Sequence, residues 1–145
     1  MQWSDDYSIG VKRVDLQHQK MLGMIDDFCG SLADGMEGHE VGNAIKFMVD
    51  YTKYHFHDEE KVMRAIGFTE IEAHRQRHQE FIDKVTSILL DLRNGDGCNY
   101  AGLAGFLVNW MLTHILEEDV MIGRQLRQRL SPEEQAVISR PQPEP

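Results

Sequence analysis

The chain predicts an all-α fold: an up-down-up-down four-helix bundle with an extended N-terminal arm and a short C-terminal extension. Apolar residues recur at three-and-four spacing over four long stretches, the pattern of helices with one buried stripe. Short breaker-rich segments separate these stretches, and short connections favour antiparallel neighbours. No stretch alternates apolar and polar residues far enough to make a useful strand. With 145 residues the chain is large enough for one domain with a real core, expected over 1–130, followed by an extension over 131–145.

Residues 1–13 read as an arm carrying Trp3, Tyr7 and Ile9. The first helix is expected from about Val14 to Ala33, with positions 14, 18, 21, 22, 25, 28, 29 and 32 on one face. Residues 34–39, rich in glycine and acid, read as a loop. The second helix spans about Val41 to Ala65 and ends at Gly67, with its stripe at 41, 45, 48, 52, 55, 59 and 63. Thr69, with Glu72 three residues on, reads as a capping box for a third helix that reaches about Arg93. Asn94-Gly95-Asp96-Gly97 breaks the chain, and a fourth helix runs from about Tyr100 to Leu130. Ser131-Pro132-Glu133-Glu134 has the cap, proline and acid of a short extra helical turn, and the Pro-rich end from Arg140 reads as a disordered tail.

The stripes are not purely apolar. His18, His55, Glu59, His74, His78, His114 and Asp119 all fall on inward-facing positions. A buried polar group without a partner costs about 1–3 kcal/mol, and an unpaired buried carboxylate costs more. Seven of them in one core rival the whole stability of a small domain, about 5–15 kcal/mol, unless something coordinates them. Metal does so, and seven donors are too many for one ion.

Residues four apart on a helix differ by about 40° in direction, so His55 with Glu59 and His74 with His78 each aim at one site. Asp119 is awkward: it follows His114 by five residues, about 140° round an ideal helix, and Glu118 lies at the better angle. Either Glu118 is the ligand, or a one-turn π-bulge widens the helix there. The donor set suits iron, zinc, manganese or copper and, lacking thiolate, excludes iron–sulfur. Zinc prefers about four ligands per ion, which seven protein donors fit poorly. Two six-coordinate ions fit better: five imidazoles, two bridging carboxylates and a bridging solvent oxygen leave one position open.

The net charge of −9 argues against nucleic acid and anionic membrane surfaces as partners. The polar, acidic start lacks the pattern of a signal peptide, and no apolar run approaches a membrane span, so a cytoplasmic location is expected. Cys29 and Cys98 form no CxxC and read as free thiols.

The pattern His18 … His55-Phe56-x-x-Glu59-Glu60 … His74-x-x-x-His78 … Trp110-x-x-x-His114-Ile115-x-x-x-Asp119 resembles hemerythrin, specifically the bacterial single-domain form. Trp3 … Tyr7-x-Ile9-Gly10 … Asp15-x-Gln17-His18 is similar to that family's arm and first ligand, so the likeness spans about residues 3–122. It implies a non-haem, oxo- or hydroxo-bridged di-iron centre that binds O2 reversibly, as carrier, store or sensor. It also implies His74, His78 and His114 on one iron, His18 and His55 on the other, and Glu59 and Asp119 as bridges, which decides for Asp119 over Glu118. The vacancy would lie on the two-histidine iron. Phe56, Phe81, Trp110, Met111 and Ile115 flank the ligands as an expected apolar pocket, and Met111 stands where this family usually has leucine. Few carboxylates favour binding over O–O cleavage, so the chain is expected not to be an enzyme. The competing readings are a di-iron oxidase or peroxidase and a metal-storage module. His39 and His57 are expected to be ordinary solvated histidines, and Glu60 an exposed neighbour able to hydrogen-bond a ligand from behind.

Overall fold

The computed structural model describes residues 1–144. A 3₁₀ turn at Asp5–Tyr7 leads into α1 (Lys12–Ala33), α2 (His39–Ile66), α3 (Ile71–Arg93) and α4 (Tyr100–Thr113). A π-helical stretch, His114–Asp119, joins α4 to α5 (Val120–Arg129), and α6 (Pro132–Ile138) follows. There is no strand among the described residues. α1 packs on α2 and α4, and α2 packs on α3 and α5, so α4, the π turn and α5 act as the fourth rod of the bundle. None of these helices is long and apolar enough to cross a membrane.

The apolar stripes bury into two separate clusters. One holds Met21, Leu22, Ile25, Ile45, Phe81, Val85, Leu107 and Met111 among others. The second holds Ile9, Val11, Val14, Val62, Met63, Ile66, Phe68, Ile122 and Leu126. The predicted donors lie in sequence where one cluster gives way to the other: His18 between Val14 and Met21, His55 and Glu59 between Tyr51 and Val62, His74 and His78 between Phe68 and Phe81, His114 and Asp119 between Met111 and Ile122, with Phe56 and Ile115 of the first cluster set among them. Alternating helix direction therefore stacks the donors in one polar layer between two apolar ones.

The arm belongs to the core. Ile9 and Val11 are fully buried, and the Ile9 N–H donates to Asp15 Oδ1 at 2.9 Å. Gly123 on α5 permits this approach, because a Cβ there would lie 2.8 Å from the Ile9 carbonyl oxygen.

Several local expectations change. α1 begins two residues earlier than the stripe suggests, and His39 is the first residue of α2 rather than loop. Thr69 does not cap α3: the N-cap is Glu70, without a side-chain bond. The Thr69 hydroxyl instead accepts from Gln125 Nε2 at 2.7 Å, and its N–H donates to Gln125 Oε1 at 3.1 Å, so a tertiary pair to α5 displaces the local box. The fourth helix is interrupted by the π turn. Ser131 and Glu134 do form a capping box, with Pro132 in the first turn of α6. Beyond Arg140, Glu144 accepts from Lys20 Nζ at 2.9 Å and from the Tyr51 hydroxyl at 3.0 Å. Pro145 lies outside the described residues. Cys29 and Cys98 are unpaired and partly buried.

Candidate metal centre

All seven predicted donors are buried, none more than 2 % exposed. They form two sets whose potential ligand atoms lie within 4.8 Å of one another: Glu59, His74, His78, His114 and Asp119; and His18, His55, Glu59 and Asp119. The two carboxylates belong to both sets, and each splits its oxygens between them. Glu59 Oε1 lies 2.9 Å from His74 Nε2 and 3.1 Å from His78 Nε2, while Oε2 lies 3.3 Å from His18 Nε2 and 3.1 Å from His55 Nε2. Asp119 Oδ1 faces His74 at 3.1 Å and His114 at 3.0 Å, and Oδ2 faces His18 at 3.1 Å.

The π turn brings Asp119, and not Glu118, into this cluster. One residue more per turn closes the five-residue gap from His114. Glu118 turns outward, where its Oε2 accepts from His114 Nδ1 at 2.8 Å and from Arg77 Nε at 2.6 Å. Glu60 does the same for His78, its Oε1 lying 3.1 Å from Nδ1. His55 Nδ1 donates to Gln17 Oε1 at 2.8 Å. A proton fixed on Nδ1 leaves the Nε2 lone pair aimed inward, the tautomer a metal needs.

Three features fit these residues to a pair of metal ions. Both Asp119 oxygens are buried without a hydrogen-bond partner. Imidazole nitrogens meet face to face, His18 Nε2 with His55 Nε2 at 3.1 Å and His78 Nε2 with His114 Nε2 at 2.9 Å. Two neutral acceptors repel at that distance, whereas two donors about 2.1 Å from one ion and at right angles sit roughly 3 Å apart. Each carboxylate also presents one oxygen to each histidine set, which is the geometry of a bridge.

Electrostatics tell the same story. Burial pushes His18 and His74 toward the neutral form, but Asp119 and Glu59 overcome it and raise both to about 9. His114 is likewise raised well above its usual value despite burial, chiefly by the charge of Asp119. At His55 burial prevails and lowers it. Burial pushes Glu59 and Asp119 up, yet the surrounding imidazoles hold both carboxyls below their usual range. The layer is thus anionic at its centre and demands positive charge, from protons or from metal.

Three of the five expected pocket residues pack together: the Phe81 ring lies 4.2 Å from Trp110 and 6.1 Å from Phe56 between centroids. Phe56 stacks on His78 at 3.7 Å between ring centroids and Trp110 on His114 at 4.5 Å, so both brace the three-histidine half. Phe81 and Met111 also line a small cavity of about 20 Å³ with Met21, Met24, Met48 and Thr52. Met21, Thr52, Phe81 and Met111 each lie one turn from His18, His55, His78 and His114, which places the cavity next to the donor layer on the side of the first apolar cluster. Ile115 is fully buried core. His39 and His57 are exposed and outside both sets.

The sequence reading did not find the roles of Arg13 and Asp58, nor Gln17 as the partner of His55. Arg13 Nε and Nη2 donate to Asp58 at 2.7 and 2.9 Å, and Gln17 Nε2 donates to Asp58 Oδ2 at 2.8 Å. Asp58, next to Glu59 on α2, is only 3 % exposed. A charged residue buried one position from a ligand is the available signal, but helix periodicity does not name its partner.

Comparison with known proteins agrees with this geometry. Residues 9–126 match the family model described as the hemerythrin HHE cation binding domain. The chain is 30 % identical over 129 residues to a bacteriohemerythrin of Stenotrophomonas maltophilia, covering 89 % of this chain and 83 % of the relative. It is 26 % identical over 113 residues to the myohemerythrin of Riftia pachyptila, covering 78 % and 82 %. A crystal structure of wild-type hemerythrin superposes with a TM-score of 0.79 at 24 % identity, over 87 % of this chain and 97 % of the other. The chain belongs to the hemerythrin family.

Proposed function

We propose that the chain binds O2 reversibly at a non-haem di-iron centre. The convergence of five imidazoles on two shared carboxylates carries this reading. In it, His74, His78 and His114 would hold one iron and His18 and His55 the other, with Glu59 and Asp119 shared between them. The iron pair, when bound, supplies the electrons that O2 accepts and returns. Every other part of the work falls to the protein.

The imidazoles around Glu59 and Asp119 hold both carboxyls below their usual range, which favours the charged form a metal needs. Glu60, Glu118 and Gln17 hold the ring orientation and tautomer of His78, His114 and His55. Phe56 and Trp110 keep water from the three-histidine half by stacking on its rings. The methionine-lined cavity gives the donor layer an apolar neighbour, where a small apolar gas is preferred over water. Neutral imidazoles outnumber anionic ligands, which favours binding over O–O cleavage.

The test is an absorption spectrum of iron-loaded protein prepared without oxygen, then exposed to air, then degassed. Reversible binding predicts a colourless form that colours in air and bleaches again as O2 is recovered. Colour that fades without release of O2, with consumption of a reductant, identifies an oxidase or peroxidase instead.

A further inference from the structure

The two halves of the centre are supported differently from behind. On the three-histidine half, His78 and His114 are each backed by a carboxylate. On the two-histidine half, His18 Nδ1 is buried with no partner, so His55 is the one ring there fixed by a hydrogen bond at Nδ1.

That bond is the inner end of a chain. Gln17, 1 % exposed, accepts from His55 and donates to Asp58. Asp58 is gripped by Arg13 through two parallel bonds. Arg13 has a donor left, Nη1, which donates to the carbonyl of Ile138 and, at 3.1 Å, to that of Arg140. Ile138 is the last residue of α6. The same stretch is pinned by Ser139 Oγ on the Gly10 carbonyl at 3.3 Å, and by Glu144 on Lys20 and Tyr51. Those anchors lie on the arm, α1 and α2, and α1 and α2 carry His18 and His55.

Each link sets the next. A carboxylate only accepts, so Asp58 forces the amide end of Gln17 toward itself and its oxygen toward His55. That oxygen accepts from Nδ1–H and leaves Nε2 free to bind metal. Asp58 in turn needs its arginine, because a buried charge stripped of its partner turns or takes up water. Arg13 is held in its fork by the carbonyls of the C-terminal extension.

We propose that Arg13, Asp58 and Gln17 are positioning residues for His55, and that α6 with residues 139–144 is the cover that keeps them in place, so the two-histidine half holds its ion only as firmly as the extension stays docked. This rests on the di-metal reading but not on O2 binding.

Cobalt(II) loaded without oxygen is the probe, and the readout is the rate at which excess chelator withdraws each ion. Removing residues 132–145, and separately Arg13→Lys, should each speed loss of one ion about 10–100-fold, the usual effect of losing a partner behind a metal ligand. Release of the other ion should stay as in the unmodified chain. Glu118→Gln should affect the opposite ion. If the truncated chain loses helical content, Arg13→Lys decides the question, since it keeps the charge and breaks only the fork. Unchanged release, or equal acceleration of both ions in a folded variant, overturns the proposal. Failure of iron-loaded protein to oxygenate reversibly would leave this cobalt result standing, whereas an unmodified chain holding fewer than two cobalt ions contradicts both readings.

Discussion

At the scale of single residues, Glu59 and His57 stand two positions apart on α2 and face opposite ways. Glu59 is fully buried with an oxygen toward each histidine set, and His57 is exposed. Glu59→Ala should therefore drop the iron content well below that of the unmodified protein, while His57→Ala should leave content and spectrum unchanged. Iron analysis of the two variants checks this, and the reverse result would mean the faces of α2 are misassigned. The seven donors are legible in the sequence because metal ligands on helices obey the same period as core residues. Asp119 breaks that period, and spacing alone leaves Glu118 as the alternative. The choice falls to the backbone, since the π turn changes the angle each residue subtends. The chain behind His55 is invisible to periodicity for a different reason: Arg13 and Asp58 are 45 residues apart, and a charge pair across helices has no spacing rule.

At the scale of elements, the helices follow from their stripes, while their ends depend on contacts made elsewhere. Thr69 has the residues of a capping box in sequence, yet Gln125 of α5 engages both its hydroxyl and its N–H. Ser131 meets no such competitor and caps α6 as its sequence predicts. The arm reads as extended, and what fixes it is a close crossing on α5. A methyl group at Gly123 would sit 2.8 Å from the Ile9 carbonyl oxygen and 2.9 Å from its Cα, both backbone atoms that cannot yield cheaply. Gly123→Ala should thus lower stability by about 1–3 kcal/mol, as overpacking a buried contact does, measurable by denaturant unfolding of the iron-loaded protein. No loss would mean that the arm moves aside without cost. Gly123 stands out in the sequence only as a glycine inside a helix, and only the fold says what passes beside it.

At the scale of the whole molecule, the bundle is two apolar clusters with a polar layer of imidazoles and carboxylates between them. Neither cluster explains the layer, because apolar residues at those seven positions would pack without the cost of burying charge. The layer makes sense as a cage that ions complete, and the arm and C-terminal extension close the α1–α2 side of it. The contacts of the extension are the least legible part of the sequence, because carbonyls that receive Arg13 and a carboxylate that receives Lys20 leave no mark in composition. The central claim is that this cage holds two bridged irons. Iron analysis of anaerobically prepared, iron-replete protein, with Mössbauer spectra to separate the sites, tests it most directly. The account predicts about two irons per chain in two distinguishable environments. One iron per chain, or two in identical environments, would contradict it.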